Sequence, residues 1–144
     1  MSNLKMGWEE TEVRVRYADT DQMSVAHHAN YLVWFEVGRT EFCRARGFTY
    51  KQMEDAGIIL MVLDVDVHFR GKAKYDDLLI IRTRIDSIKS RTISFEYQIL
   101  KKESKKLIVY GKSRHISLNK KGEPRKIPER FLSLLKQGNG GKSV

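Results

Sequence analysis

The sequence predicts an α+β fold in which one curved antiparallel β-sheet wraps a long central α-helix, and three observations carry that expectation. Residues 28–46 are apolar on too many sides for a helix that merely lies on a surface. Four runs with apolar residues at alternate positions follow Gly57, and the connections between the later runs are as short as hairpin turns. One sheet curling around one very apolar helix meets all of these burial demands together.

The first strand is expected at about residues 10–17, where Thr11, Val13, Val15 and Tyr17 alternate with charged neighbours. A polar loop leads into the long helix. There Tyr31, Phe35, Gly38, Phe42 and Ala45 recur at three- and four-residue spacing, and Leu32, Trp34 and Val37 widen the apolar face. Gly47 suits the helix C-terminus, and Thr49 with Gln52 matches a capping box for a short second helix ending before Gly57.

In the four runs that follow, Met61, Leu63, Val65, Val67 and Phe69 share one face, as do Leu79, Ile81, Thr83 and Ile85, then Ile93, Phe95, Tyr97 and Ile99. The last run sets Ile108, Tyr110, Lys112 and Arg114 on one face, which turns polar toward its end. The turns at Lys89, Ser90 and Arg91 and at Glu103, Ser104, Lys105 and Lys106 make these later strands antiparallel neighbours. Pro124 and Pro128 precede an amphipathic helix at about residues 129–136. The Gly-, Ser- and Lys-rich residues 138–144 read as a flexible tail, leaving one domain over residues 1–137.

Hydrophobic residues at 41% exclude a disordered chain. Cys43 is the only cysteine, which excludes an intrachain disulfide and a multi-cysteine zinc site and points to a reducing compartment. Residues 1–10 hold no apolar core of signal-peptide length, and no run approaches the roughly 18 apolar residues that span a bilayer. A cytoplasmic protein with no membrane partner is expected. The net charge of +9 comes from residues 101–144, with 13 Lys and Arg against 3 Asp and Glu. Strand ends, turns and a terminal helix commonly carry such charge as a solvated face. No nucleic-acid partner is expected, since Phe69, Phe95, Tyr97 and Tyr110 are read as core-facing and leave no stacking platform.

The chemistry concentrates in residues 17–36. Asp19 and Asp21 lie in the loop between the first strand and the N-terminus of the long helix. The first N–H groups of a helix have no internal acceptors and present the positive end of its dipole, which suits a developing oxyanion. A carboxylate just before that terminus can attack a polarised carbonyl or direct water at it. On spacing alone the two acids read first as loop or helix caps, the commoner role of Asp.

Tyr17, Asp19, Thr20, Asp21, His28, Asn30, Tyr31, Phe35, Glu36, Arg39 and Thr40, with the segments HFRGKAKYDD at 68–77 and GEPRKIP at 122–128, carry a resemblance over residues 12–132. In these the chain resembles the 4-hydroxybenzoyl-CoA thioesterase-like hotdog family, in its branch of bacterial acyl-CoA thioesterases. The resemblance implies the hotdog fold, an acyl-CoA substrate, and homodimers, assembling further to homotetramers, with active sites at the subunit interface. It implies no metal and no redox cofactor. Asp21 becomes the catalytic carboxylate and the His28 backbone amide the oxyanion donor, with Tyr17, Asp19, Asn30 and Tyr31 toward the substrate. Arg70, Lys72 and Lys74, with Lys89 and Arg91, become candidates for holding the CoA phosphates. Ser24, Ala26 and His27 stand where the family usually has Gly, Val and Tyr. Ser tolerates poorly the backbone angle a Gly permits, so a differently shaped loop is expected.

Other candidates read as structural. His27 and His28 lack a third ligand at a diagnostic spacing, so metal binding is not expected, and His28 reads as a positioning or capping residue. Glu36 and Arg39 can pair with each other or across a dimer interface. Cys43 is a packed small hydrophobe.

Overall fold

The computed structural model describes residues 7–137, so the tail expected at 138–144 lies outside the described residues. The chain forms β1 (Glu9–Arg14), a single turn of 3-10 helix (Tyr17–Asp19), α1 (His28–Ala45), α2 (Tyr50–Asp55), β2 (Ile59–Phe69), β3 (Leu78–Ile88), β4 (Thr92–Lys101), β5 (Leu107–Leu118) and α3 (Glu129–Leu135). Among the described residues these strands make one sheet in the order β1-β3-β4-β5-β2, antiparallel throughout.

Helix α1 buries Tyr31, Trp34, Phe35, Gly38 and Phe42 in one core with Leu79, Ile81, Ile85, Ile93, Phe95, Tyr97 and Ile99 of the sheet. Phe35 stacks on Tyr97 with centroids 4.2 Å apart, and Phe42 meets Phe95 edge-on at 5.7 Å. Helix and sheet come so close at Gly38 that a Cβ there would run into Thr83 Oγ1 and stand 2.8 Å from Ile81 Cγ2. Both bonds of the expected capping box form, Gln52 N–H to Thr49 Oγ1 at 3.1 Å and Thr49 N–H to Gln52 Oε1 at 2.9 Å. Past the C-terminus of α1, Phe48 packs on Phe131 of α3.

Four expectations need correction. β1 stops at Arg14, and Tyr17 is 75% exposed in the following turn, because the backbone tightens around Asp19 instead of continuing as strand. On β5 the buried face is Val109, Gly111, Ser113, His115 and Ser117, whereas Arg114 is exposed and Tyr110 and Lys112 are half-buried. Hydrogen bonds make polar burial tolerable there: Ser113 Oγ lies 2.6 Å from Tyr97 Oη and 2.7 Å from His115 Nε2. β2 is an edge strand, so Met61, Leu63, Val65 and Phe69 remain exposed in the chain by itself. Of the four aromatics read as core-facing, then, only Phe95 and Tyr97 are buried; Tyr110 instead stacks on His68 at 4.7 Å.

Finally, Glu36 and Arg39 do not pair within the chain. Arg39 turns inward, its Nη1 3.4 Å from Tyr97 Oη, while Glu36 stays exposed. In the basic C-terminal third, Lys101, Lys102, Lys112 and Arg114 pair with Asp77, Glu12, Asp86 and Asp64, which neutralises part of that surface. Among the described residues no helix is long and apolar enough to cross a membrane.

Candidate active site

After β1 the chain folds back on itself around one buried carboxylate. Asp19, 2% exposed, accepts the Arg16 backbone N–H at 2.8 Å and is gripped by the Arg16 guanidinium, with Nη2 to Oδ1 at 2.8 Å and Nε 3.2 Å from both oxygens. The guanidinium's hydrogen bonds hold the Asp19 carboxyl below the usual range. The Asp19 carbonyl accepts the His27 N–H at 2.8 Å and Asn30 Nδ2 at 2.7 Å, which ties the loop to the start of α1. Tyr31 Oη accepts the Ala73 N–H at 3.1 Å, and Ala26 N–H donates to the Ala73 carbonyl at 2.8 Å, fixing the segment after β2 beside the same loop.

Asp21, two residues on from Asp19, faces solvent. Its Oδ1 accepts the Met23 N–H at 2.8 Å and the Val25 N–H at 3.3 Å, and its carbonyl accepts the Ser24 N–H at 3.0 Å. The turn carries Ser24 into the left-handed region at φ 63°, so Ser occupies the very conformation that favours Gly. The turn therefore closes with strain at Ser24. The Met23 amide above all, then that of Val25, and the His27 ring through space, lower the Asp21 pKa, and the group is a carboxylate at neutral pH.

At the start of α1 the cap is His27, not His28: the His27 Nδ1 accepts the Ala29 N–H at 3.2 Å. The Asn30 N–H bonds the His27 carbonyl at 3.0 Å, while the His28 N–H has no acceptor among the described residues. Asp21 and His28 line one open cleft of about 450 Å³ together with Met23, Val25, Phe69 and Lys72. The His28 ring rests on Phe69 at 5.0 Å. An ionised carboxylate and an unused helix-terminal amide on one cleft can polarise a carbonyl and deliver a nucleophile to it. Among the described residues no three His, Cys, Asp or Glu side chains gather as metal ligands.

Of the residues expected at the site, Asp21, His28 and Lys72 come together. Asp19, Asn30 and Tyr31 form the scaffold behind the cleft, with the Asp19 oxygens already engaged by Arg16. Tyr17 packs edge-on against Tyr75 at 5.7 Å and does not line the cleft. Nor do Arg70, whose guanidinium lies 5.5 Å from the Tyr110 ring, or Lys74, whose amide bonds Asp77. Lys89 and Arg91 occupy the β3–β4 turn at the far end of the sheet, and the 11 residues of β3 span about 36 Å. Met23, Val25 and Phe69 were not foreseen as site residues. Phe69 was legible only as one more apolar position of an alternating strand.

The fold defines the class of protein: a hotdog domain, one antiparallel sheet around a long helix. The chain belongs to the thioesterase-like superfamily, whose model matches residues 15–135. Similar relatives include YneP of Bacillus subtilis, 36% identical over 109 residues and covering 76% of this chain and 78% of the relative. Acyl-CoA thioester hydrolase YbgC of Escherichia coli O6:H1 is 29% identical over 126 residues, covering 87% and 93%. Among solved structures, the DHNA-CoA thioesterase of Staphylococcus aureus superposes with a TM-score of 0.82 at 30% identity, covering 88% of this chain and 85% of that one.

Proposed function

We propose that the chain hydrolyses the thioester of an acyl-CoA to free acid and CoA, with Asp21 as the reacting carboxylate. One observation carries this reading: an ionised, solvent-facing carboxylate and the unused His28 amide share a cleft. The thioester carbonyl sits with its oxygen toward the His28 N–H. Asp21 attacks the carbonyl carbon, or takes a proton from a water that does so. The amide and the helix dipole stabilise the tetrahedral oxyanion, which collapses with loss of CoA thiolate, a good leaving group. If Asp21 is the nucleophile, water then cleaves the mixed anhydride and restores the carboxylate. The names of relatives such as YbgC support a CoA ester as substrate.

Lys72 lines the cleft, which supports a role in meeting a CoA phosphate, with Arg70 two residues before it. The exposed edge of β2, with Met61, Leu63 and Val65 on it, supports a homodimer formed along that edge, pairing further to a tetramer. In such a pairing of antiparallel edges the far end of one sheet comes beside the near end of the other, so Lys89 and Arg91 serve the partner's cleft. A cytoplasmic setting accords with the lone thiol of Cys43. The test is release of free thiol from a panel of acyl-CoAs. Saturable binding without release would make the protein a carrier or sensor instead.

A further inference from the structure

We infer, resting on the thioesterase reading above, that Glu36 closes the far end of the acyl subsite and restricts the enzyme to short acyl chains. Two lines of residues leave the His28–Phe69 contact side by side. Along α1, Leu32 is 42% exposed one turn beyond His28, and Glu36 is exposed one turn further. Along β2, Val67 and Val65 follow Phe69 on the face shared with the buried Val109, Gly111 and Ser113 of β5. Phe69 and Val65 are 48% and 38% exposed. His28 and Phe69 also line the Asp21 cleft, so the space between the two lines, which we read as an apolar groove, opens from the site. Its occupant is therefore the acyl chain of the ester whose carbonyl meets the His28 amide.

Glu36 interrupts that groove with a charge. Its side chain takes part in no hydrogen bond or ion pair among the described residues and acts on Arg39 only through space. Eight residues of helix put its Cα about 12 Å along the axis from that of His28. Helical side chains lean back toward the N-terminus, so the free path is shorter, roughly 9 Å, or roughly six to eight extended carbons. Each methylene up to that point gains about fourfold in binding. A methylene beyond it must strip water from the Glu36 carboxyl, which outweighs the gain.

The test measures thiol release by wild type, Glu36→Gln and Glu36→Leu on straight-chain esters from acetyl-CoA to palmitoyl-CoA. The readout is the ratio of kcat/KM for dodecanoyl-CoA to that for butyryl-CoA. Wild-type kcat/KM should climb to hexanoyl- or octanoyl-CoA and then fall. Glu36→Leu should raise the ratio at least about tenfold, and Glu36→Gln less, since its amide is still polar. Should the Leu variant lose all activity, the Gln variant carries the test. A wild type that hydrolyses these esters, with a ratio that neither variant shifts, overturns the role of Glu36 and leaves the thioesterase reading standing. A wild type that releases thiol from none of them but does so from an aromatic acyl-CoA overturns this inference alone, and release from neither overturns the thioesterase reading with it.

Discussion

Asn30 Nδ2 donates to the Asp19 carbonyl at 2.7 Å, across eleven residues of chain, and so joins the first turn of α1 to the loop that carries Asp21. The bond fixes the distance between the carboxylate and the helix terminus without touching either. Asn30→Ala should cost about 1 kcal/mol of stability in a denaturant melt. It should lower kcat roughly tenfold or more while KM changes little, because misplacement harms the transition state more than ground-state binding.

Asp21 bonds only to amides of its own turn, and Asn can keep those bonds through its carbonyl oxygen. Asp21→Asn should therefore melt like the wild type and lose about 10²- to 10⁴-fold in kcat, read by thiol release. A correctly sequenced Asn variant of full activity would remove Asp21 from the chemistry. Single-turnover hydrolysis in ¹⁸O-water, followed by mass spectrometry of the loop peptide, tests the nucleophilic route: label in Asp21 shows that water cleaved an anhydride at the Asp21 carbonyl.

His115 is buried beneath the sheet and is pushed down to about 4, by burial first and then by the charge on Arg39. The unfolded chain thus takes up a proton between about pH 6.5 and 4 while the folded one does not. The stability linked to neutral His115 is complete above the unfolded pKa and is lost as pH falls through that window, by up to about 3 kcal/mol. Urea melts across the window should show this slope, and His115→Gln should flatten it. Asp19 and Asp21, both lowered, add their losses at more acid pH.

Ser24 holds φ 63° although its N–H and carbonyl are both used, by Asp21 and Tyr75. Ser24→Gly keeps those bonds and removes the steric cost of a side chain there, so a gain of about 1 kcal/mol is expected in a thermal melt. Loss of stability would show that the loosening of the unfolded chain outweighs the relief.

Gly38→Ala should do the opposite, since the new methyl meets Thr83 and Ile81. A loss of about 1–3 kcal/mol is expected, and pairing it with Thr83→Ala, which removes the Oγ1 in the way, should not restore stability while Ile81 still blocks the space.

Periodicity made most of the fold legible. The residues of α1 that repeat at three and four positions are the ones packed on the sheet, and the strands β3 and β4 bury the predicted alternate positions. It failed on β5, where Ser113, His115 and Ser117 look like solvent-facing residues but are buried, Ser113 against Tyr97 and His115 against Phe95. Alternation identifies two faces without saying which is inner when small polar residues lie on one and Tyr and Lys stems on the other. It failed also on β2, because no local pattern reveals that a strand ends a sheet. At the site, the placement of Asp21 before α1 was readable, but its spacing alone favoured a cap. The difference between Asp19, gripped by Arg16, and Asp21, turned to the cleft, depends on a fold-back of three residues that no periodicity encodes.

The thiol of Cys43 lies 1% exposed between α1 and the sheet, and burial pushes it up to about 12. A disulfide reagent added to the intact protein should therefore colour only with liberated coenzyme, giving hydrolysis assays a flat baseline. The same silent sulfur becomes a clock for opening of the core, because the reagent reaches it only when the helix lifts from its sheet.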